Sequence, residues 1–346
     1  MSTFLRVKND DKQEIISFLA KNDEIKKKEY EKFFKLQSLI SQKNPFYGWC
    51  IRDNENKVRG FLGALTHHSP HHKNKLIVNK AAPGSGRKVA LYATCFSNYN
   101  SPAIGESALA VLAHNGVEVE VVYPRCCGMP YLEKGDIAGV VENAEKTAQE
   151  LCKWIDNGYE IVALVPSCAF MIKLEWPLLM PENPNIKRLS EHSFDIAEYI
   201  VSINRDEGLV EGLKPIGKNI TLHMACHARA QNIGHKAAEM LRLVPNVEIN
   251  VIERCSGHGG SIGVTRDFHE TALKVGRPLV RRISEHEGNL VASECPLAAA
   301  HIMSGIDIMH KSDEASSNNS ELKADDPLGR SYHPIELFAK AYGLVN

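Results

Sequence analysis

The chain has 346 residues, 43% of them hydrophobic and 24% charged, and a net charge of −1. Those proportions fit a globular protein of about two domains and give no electrostatic case for nucleic acid, whose binders usually carry a basic face. Nine cysteines with no apolar leader in MSTFLRVKNDDKQ argue against a disulfide framework, since reducing compartments keep clustered thiols for metal or redox work.

Residues 1–85 read as a helical N-terminal segment. DDKQEIISFLAKNDEIKKKEYEKFFKLQSLISQ places apolar residues at helical spacing among many charges. THHSPHHKNK follows, and its His67, His68, His71 and His72 read as a solvated loop rather than a metal site.

From Gly86 onward strands alternate with helices, which predicts parallel sheets. RKVALYATC is a buried strand ending at Cys95, and SPAIGESALAVLAHNG a helix stopped at Gly116. VEVEVVY is the next strand and DIAGVVENAEKTAQELCKWIDNG the next helix. YEIVALVPSC is a third strand, ending at Cys168, and AFMIKLEWPLL and EHSFDIAEYIVSINRDEG read as helices. The apolar run around Cys168 is interrupted by Lys173, Glu175 and prolines and does not span a bilayer.

The order then starts again. KNITLHMAC is a strand ending at Cys226, HKAAEMLRLVPN a helix, and VEINVIERC a strand ending at Cys255. RDFHETALKVGRPLVRRISEHEG is helical, NLVASEC is a strand ending at Cys295, and PLAAAHIMSG opens another helix. The expected division is a first unit at 86–210, a second at 211–310, a disordered insert at 311–330 and a C-terminal helix at 331–346.

The cysteine spacing carries the chemistry. Cys95-x30-Cys126-Cys127-Gly-x39-Cys168 is answered by Cys226-x28-Cys255-Ser-Gly-x37-Cys295, with Ser256 opposite Cys127. This is an internal duplication: two parallel-sheet units, related by an expected pseudo-two-fold. Every one of these cysteines sits where a strand hands over to a loop, the edge at which open α/β sheets place ligands. Neighbouring cysteines are poorly shaped for a mutual disulfide, and Gly128 and Gly257 let the backbone turn beside them. Four convergent thiolates suit tetrahedral zinc or an iron–sulfur cluster. The absence of close C-x2–4-C pairs favours the larger centre. The second unit has three cysteines, and its fourth ligand falls to His223, His227, His258, His301 or a non-protein group. Cys50 and Cys152 belong to neither pattern, and Cys152 reads as core. The glycines of ERCSGHGGSIG miss the dinucleotide-binding register.

The stretches YATCFSNYN, PRCCGMPYLEKGD, VPSCAFMIKLEWP, HMACHARAQNIG, ERCSGHGGSIG and SECPLAAAHI together resemble the cysteine-rich, or CCG, domain family. The resemblance covers about residues 86–306 and looks closest to the C-subunit branch of anaerobic glycerol-3-phosphate dehydrogenase, among the heterodisulfide reductase-related iron–sulfur proteins. It implies iron–sulfur clusters of the 4Fe-4S type, one on Cys95, Cys126, Cys127 and Cys168 and room for a second on Cys226, Cys255 and Cys295, with His227 or His258 as further ligands. It implies an electron-transfer component of a cytoplasmic oxidoreductase, peripheral to the inner membrane if quinone is its acceptor, beside a flavin-containing dehydrogenase subunit or another redox protein. The chain lacks the family's closing C-x-x-C, with Val165 and Ala292 set against the first cysteine of that pair, and has only Cys50 before Cys95. Electrons would therefore enter from a partner. Two other readings stand beside this one: a zinc-stabilised or cluster-free scaffold, and an enzyme with an open iron site in the second unit.

Overall fold

The structure, a computed structural model, describes residues 3–6, 48–52, 58–63, 77–260, 263, 265–286, 288–314 and 331–345. The helices expected over 10–42 and the histidine loop lie outside the described residues. Residues 3–63 contribute, where described, a three-stranded antiparallel sheet that the sequence reading did not include: β1 (Thr3–Arg6), β2 (Gly48–Arg52) and β3 (Val58–Gly63). Strands this short are fixed by pairing rather than by local pattern, and the charged repeat between them masked the signal.

The first unit holds a parallel sheet of four strands: β4 (Lys88–Tyr92), β5 (Glu118–Val122), β6 (Glu160–Ala163) and β7 (Ser193–Asp195), in the order β5-β4-β6-β7. Central β4 is dry, with Val89 to Tyr92 fully buried, as an apolar run covered by helices on both faces must be. Edge strand β5 alternates Glu118 and Glu120 with valines, a charged edge that resists pairing with another chain. The sequence reading missed β7. The helix expected over EHSFDIAEYIVSINRDEG took in its three residues, whereas the helix begins only at Ile196 and runs to Asp206, capped by Asp195 and Glu198.

The second unit repeats the layout with β8 (Ile220–His223), β9 (Ile249–Ile252) and β10 (Leu290–Ser293), in the order β9-β8-β10. In both sheets the first strand of the unit is central, flanked by the second and third. The duplication of the cysteines is thus a duplication of topology. One apolar core runs from Val89 to Ala341 through both units, and a smaller one around Leu279, Val291 and Ile302 backs the second sheet. Tyr332 bridges to β10 through backbone bonds with Val291 and Ser293, and the helix Pro334–Ala341 then packs on the helix Pro102–His114 of the first unit. The helix Pro296–Glu314 carries the chain to the edge of the described residues.

Candidate metal centre

Each cysteine of the first unit is placed by a different device. Cys95 opens the helix Cys95–Tyr99, whose cap is Thr94: its Oγ1 accepts from the Ser97 N–H at 3.2 Å, and its φ is 58°. Cys126 and Cys127 leave β5 on a loop that turns at Gly128, which has φ 86°. Cys168 is the third residue of the helix Pro166–Phe170, where Pro166 occupies the first position, one that has no use for an N–H. That helix continues as a π-turn over Met171–Glu175 into Trp176–Leu179. Pro177 has no N–H for the Lys173 carbonyl, and the Ser190 hydroxyl donates to it at 2.8 Å in its place.

These devices bring the four thiols together. Cys95 and Cys126 Sγ are 3.9 Å apart, and Cys127 lies close enough to Cys126 and Cys168 for both to act on its thiol. Cys126, Cys127 and Cys168 are buried and Cys95 half-buried. The Cys126 thiol is pushed well below its ordinary range by S–H donation from Cys127 and Cys95 and by backbone N–H groups of Gly128 and Cys127. The donors Cys95 and Cys127 are pushed up by the same bonds and by burial. Left to themselves, four thiols so close cannot all ionise in a dry site. A bound cation removes that conflict, because coordination deprotonates a thiol outright.

The donor set therefore fits a thiolate-held centre, tetrahedral zinc or an iron–sulfur cluster.

The cysteine loop is fastened from outside by groups the sequence reading did not single out. The Trp176 indole N–H donates to the Cys127 carbonyl at 3.1 Å, and Asn143 Nδ2 donates to the Cys126 carbonyl at 3.1 Å. The Tyr92 hydroxyl donates to the Arg125 carbonyl. Tyr92 stacks on Tyr123, whose ring meets Tyr99 edge-on. Burial, with the cysteines beside them, holds the Tyr92 and Tyr123 phenols well above their usual range.

The second unit is built alike but opens outward. Cys226 heads the helix Cys226–Ala230, and Gly257, at φ 81°, gives its N–H to Cys255 Sγ at 3.4 Å. A Cβ at Gly257 would stand 2.1 Å from the Ala272 carbonyl oxygen, and one at Gly276 2.3 Å from that of Ser256. Only glycines let this loop lie against the helix Arg266–Ser284. Cys226 and Cys255 are exposed, and Cys295 is buried. Burial pushes the Cys295 thiol up to about 11, although the Ala298 and Leu297 N–H groups favour its thiolate.

The closing segment corrects one alignment made from the sequence. Ala163 pairs with Tyr92 and Ser293 with His223, and both helices begin two residues past the strand's next residue, at Pro166 and Pro296. The Ala169 N–H bonds to the Val165 carbonyl as the Ala299 N–H bonds to that of Cys295. Cys295 thus answers Val165 rather than Cys168, and Ala298, not Cys295, stands in the place of Cys168. The strand end is set by pairing with β8, which spacing alone does not reveal.

The two candidate sites adjoin. The helices that carry Cys168 and Cys226 pack together, with Phe170 stacked on His227 at 5.1 Å, and Cys295 feels the charge of both Cys226 and Cys168. Between the units lie two buried acids. Burial raises Asp195 to about 6, and burial together with Asp195 raises Glu294 to about 8.

The histidines sort by their partners. His223 has Nδ1 against Ser293 Oγ and Nε2 against the Arg254 carbonyl, each at 2.9 Å, and burial depresses it to about 4. His258 Nδ1 is 2.8 Å from Ser256 Oγ, and burial depresses it likewise to about 4. His301 meets His269 edge-on.

Fold and site together define a duplicated α/β protein with thiol clusters at the carboxyl edges of two parallel sheets. The family model described as the cysteine-rich domain, CCG, matches residues 89–173 and 220–302, one match in each unit. The C-subunit of anaerobic glycerol-3-phosphate dehydrogenase from Escherichia coli strain K12 is 28% identical over 60% of this chain and 52% of its own length. An uncharacterized iron–sulfur protein of Methanococcus maripaludis is 26% identical over 62% of this chain and 41% of its own. Lactate utilization protein A 1 of Bacillus anthracis is 24% identical over 59% of this chain and 84% of its own. The chain spans about half the length of the dehydrogenase subunit it matches. Among the described residues no helix is long and apolar enough to cross a membrane.

Proposed function

We propose that this chain is an iron–sulfur electron-transfer subunit of an oxidoreductase. The observation that carries the reading is the convergence of Cys95, Cys126, Cys127 and Cys168, four thiols from three strand ends at one sheet edge, with Cys95 and Cys126 Sγ 3.9 Å apart. A thiolate-held cluster there would supply one-electron chemistry. The protein's part is to hold the four sulfurs, direct backbone N–H groups at Cys126 and keep water away, which are the factors that set a cluster's potential. The names of the matched relatives, an iron–sulfur protein and a dehydrogenase subunit, support the reading. By the same argument the partner is a flavin-containing dehydrogenase or another redox protein, and the acceptor quinone or a second carrier. The four-iron cluster type and a place in the cytoplasm or at the face of the inner membrane belong to the same proposal.

A second reading rests on the exposure of Cys226 and Cys255. A centre held there would be open to a substrate, which would make the second unit an active site rather than a relay.

The test is anaerobic purification followed by assay of iron, acid-labile sulfide and zinc, with EPR on the reduced sample. About four irons per cluster with matching sulfide supports the proposal. Cys127→Ala should lose the first centre while Cys152→Ala, whose Sγ faces only the Asn185 carbonyl, keeps it. A colourless protein with about one zinc per chain and no sulfide defeats the proposal and leaves a zinc-stabilised scaffold.

A further inference from the structure

The duplication leaves the second unit short of thiolates. Ser256 replaces the cysteine at the position of Cys127, and Ala298 the cysteine at the position of Cys168. Cys226, Cys255 and Cys295 remain. We propose that His258 is the fourth protein ligand of this second centre, binding through Nε2, with Ser256 as the residue that positions it. The inference rests on the iron–sulfur reading of the preceding section.

His223, His227 and His301 all lie within electrostatic range of His258, so four imidazoles compete for the role. His223 is spent, with a fixed partner on each nitrogen. His301 is turned into the seam between its own helix and Arg266–Ser284, with the Ala272 carbonyl and the His269 ring as neighbours. His227 lies flat against Phe170, its plane within 18° of that ring, and none of its nitrogens is anchored among the described residues. The His301 Nε2 is also without a partner but is shut away from solvent within the protein, whereas His258 stands three residues from Cys255 on the same loop. His258 pairs one anchored nitrogen with one that has no partner among the described residues. That is the arrangement of a ligating histidine, whose second nitrogen is held by a neighbour that fixes tautomer and ring orientation.

The main chain holds the pair rigid. The Gly263 N–H donates to the His258 carbonyl at 2.7 Å, and a Cβ at Gly263 would stand 2.0 Å from that oxygen. Ser256 is clamped from behind by Gly276. The serine that replaces a thiolate thus serves the imidazole that stands in for it. Histidine in place of a thiolate removes one negative charge and raises a cluster's potential, so the second centre should sit above the first.

Pulsed EPR on reduced protein made with natural and with heavy-nitrogen histidine tests this. The expected result is a strongly coupled histidine nitrogen that is present in wild type and His227→Ala and absent in His258→Ala. Because His258→Ala can lose the centre altogether, His258→Cys is the second variant. It should keep iron, lose the nitrogen coupling and shift that centre to lower potential. Ser256→Ala should broaden the coupling while iron is retained. Iron and sulfide sufficient for two centres with no coupled nitrogen, or a coupling that survives His258→Cys, overturns the assignment and leaves the electron-transfer reading intact. No iron and sulfide at all overturns both.

Discussion

The indole N–H of Trp176 donates to the carbonyl of Cys127 across 3.1 Å, in a place where the indole is fully buried. This bond joins the helical stretch that follows Cys168 to the loop that carries Cys126 and Cys127, so two of the three ligand segments move as one. Trp176→Phe would leave the Cys127 carbonyl without this donor. An orphaned buried acceptor costs about 1–3 kcal/mol. The expected outcome is a drop of that size in urea unfolding, with faster loss of iron to a chelator. Unchanged iron release alongside reduced stability would mean that the bond supports the fold but not the centre.

Thr94, next to Cys95, has φ 58° and ψ 161°, a region held almost only by glycine, and its counterpart Ala225 is ordinary extended chain. Such a residue stores about 1–3 kcal/mol. At an ordinary position glycine is less stable than alanine by about 0.5–1 kcal/mol. Here the order should reverse: Thr94→Gly should be more stable than Thr94→Ala by about 1–3 kcal/mol in urea unfolding, since both lose the cap and only glycine releases the strain. Equal stabilities would show that the turn before Cys95 is relaxed.

Much of this site was legible in the sequence, for a physical reason. Strands of a parallel sheet covered on both faces are short apolar runs, so the cysteine that ends each run marks the carboxyl edge without any tertiary information. What could not be read depends on partners far along the chain. Trp176 and Asn143 matter through backbone carbonyls 49 and 17 residues away. β7 is too short to carry a period. The position of Cys295 follows from where β10 stops pairing with β8. The sequence offered His227 and His258 as further ligands, and only the partners of their rings separate them.

The revised closing register makes its own prediction. Ala298 is buried beside Ala225, Ala228 and Cys295, whereas Ala292 is fully buried within β10. Ala298→Cys should offer a further thiolate to the second centre, lowering its potential and slowing iron loss to a chelator. Ala292→Cys should do neither, and should cost about 1–3 kcal/mol through overpacking. The opposite result would restore the alignment drawn from spacing alone.

The last helix contains a pH-sensitive joint. His333 caps Pro334–Ala341: its Nδ1 accepts from the Ile335 N–H at 3.3 Å, and its own backbone N–H donates to Glu336. The backbone carbonyl of Glu294, beside the second sheet, favours the charged ring. Burial lowers its pKa from 6.5 to about 4. The unfolded chain therefore binds the proton first, and stability that is fully present above pH 6.5 is lost as the pH falls towards 4. Between pH 7.5 and 4.5 this one group should cost about 2.5 kcal/mol, because a proton on Nδ1 would face a donor. His333→Asn keeps a good cap and cannot titrate. Urea unfolding of both proteins across that range should show the wild type losing about 2.5 kcal/mol more than His333→Asn. Acid losses shared by the two, including those from His223 and His258, cancel in the difference. Parallel curves would mean that the cap is not where this protein feels acid.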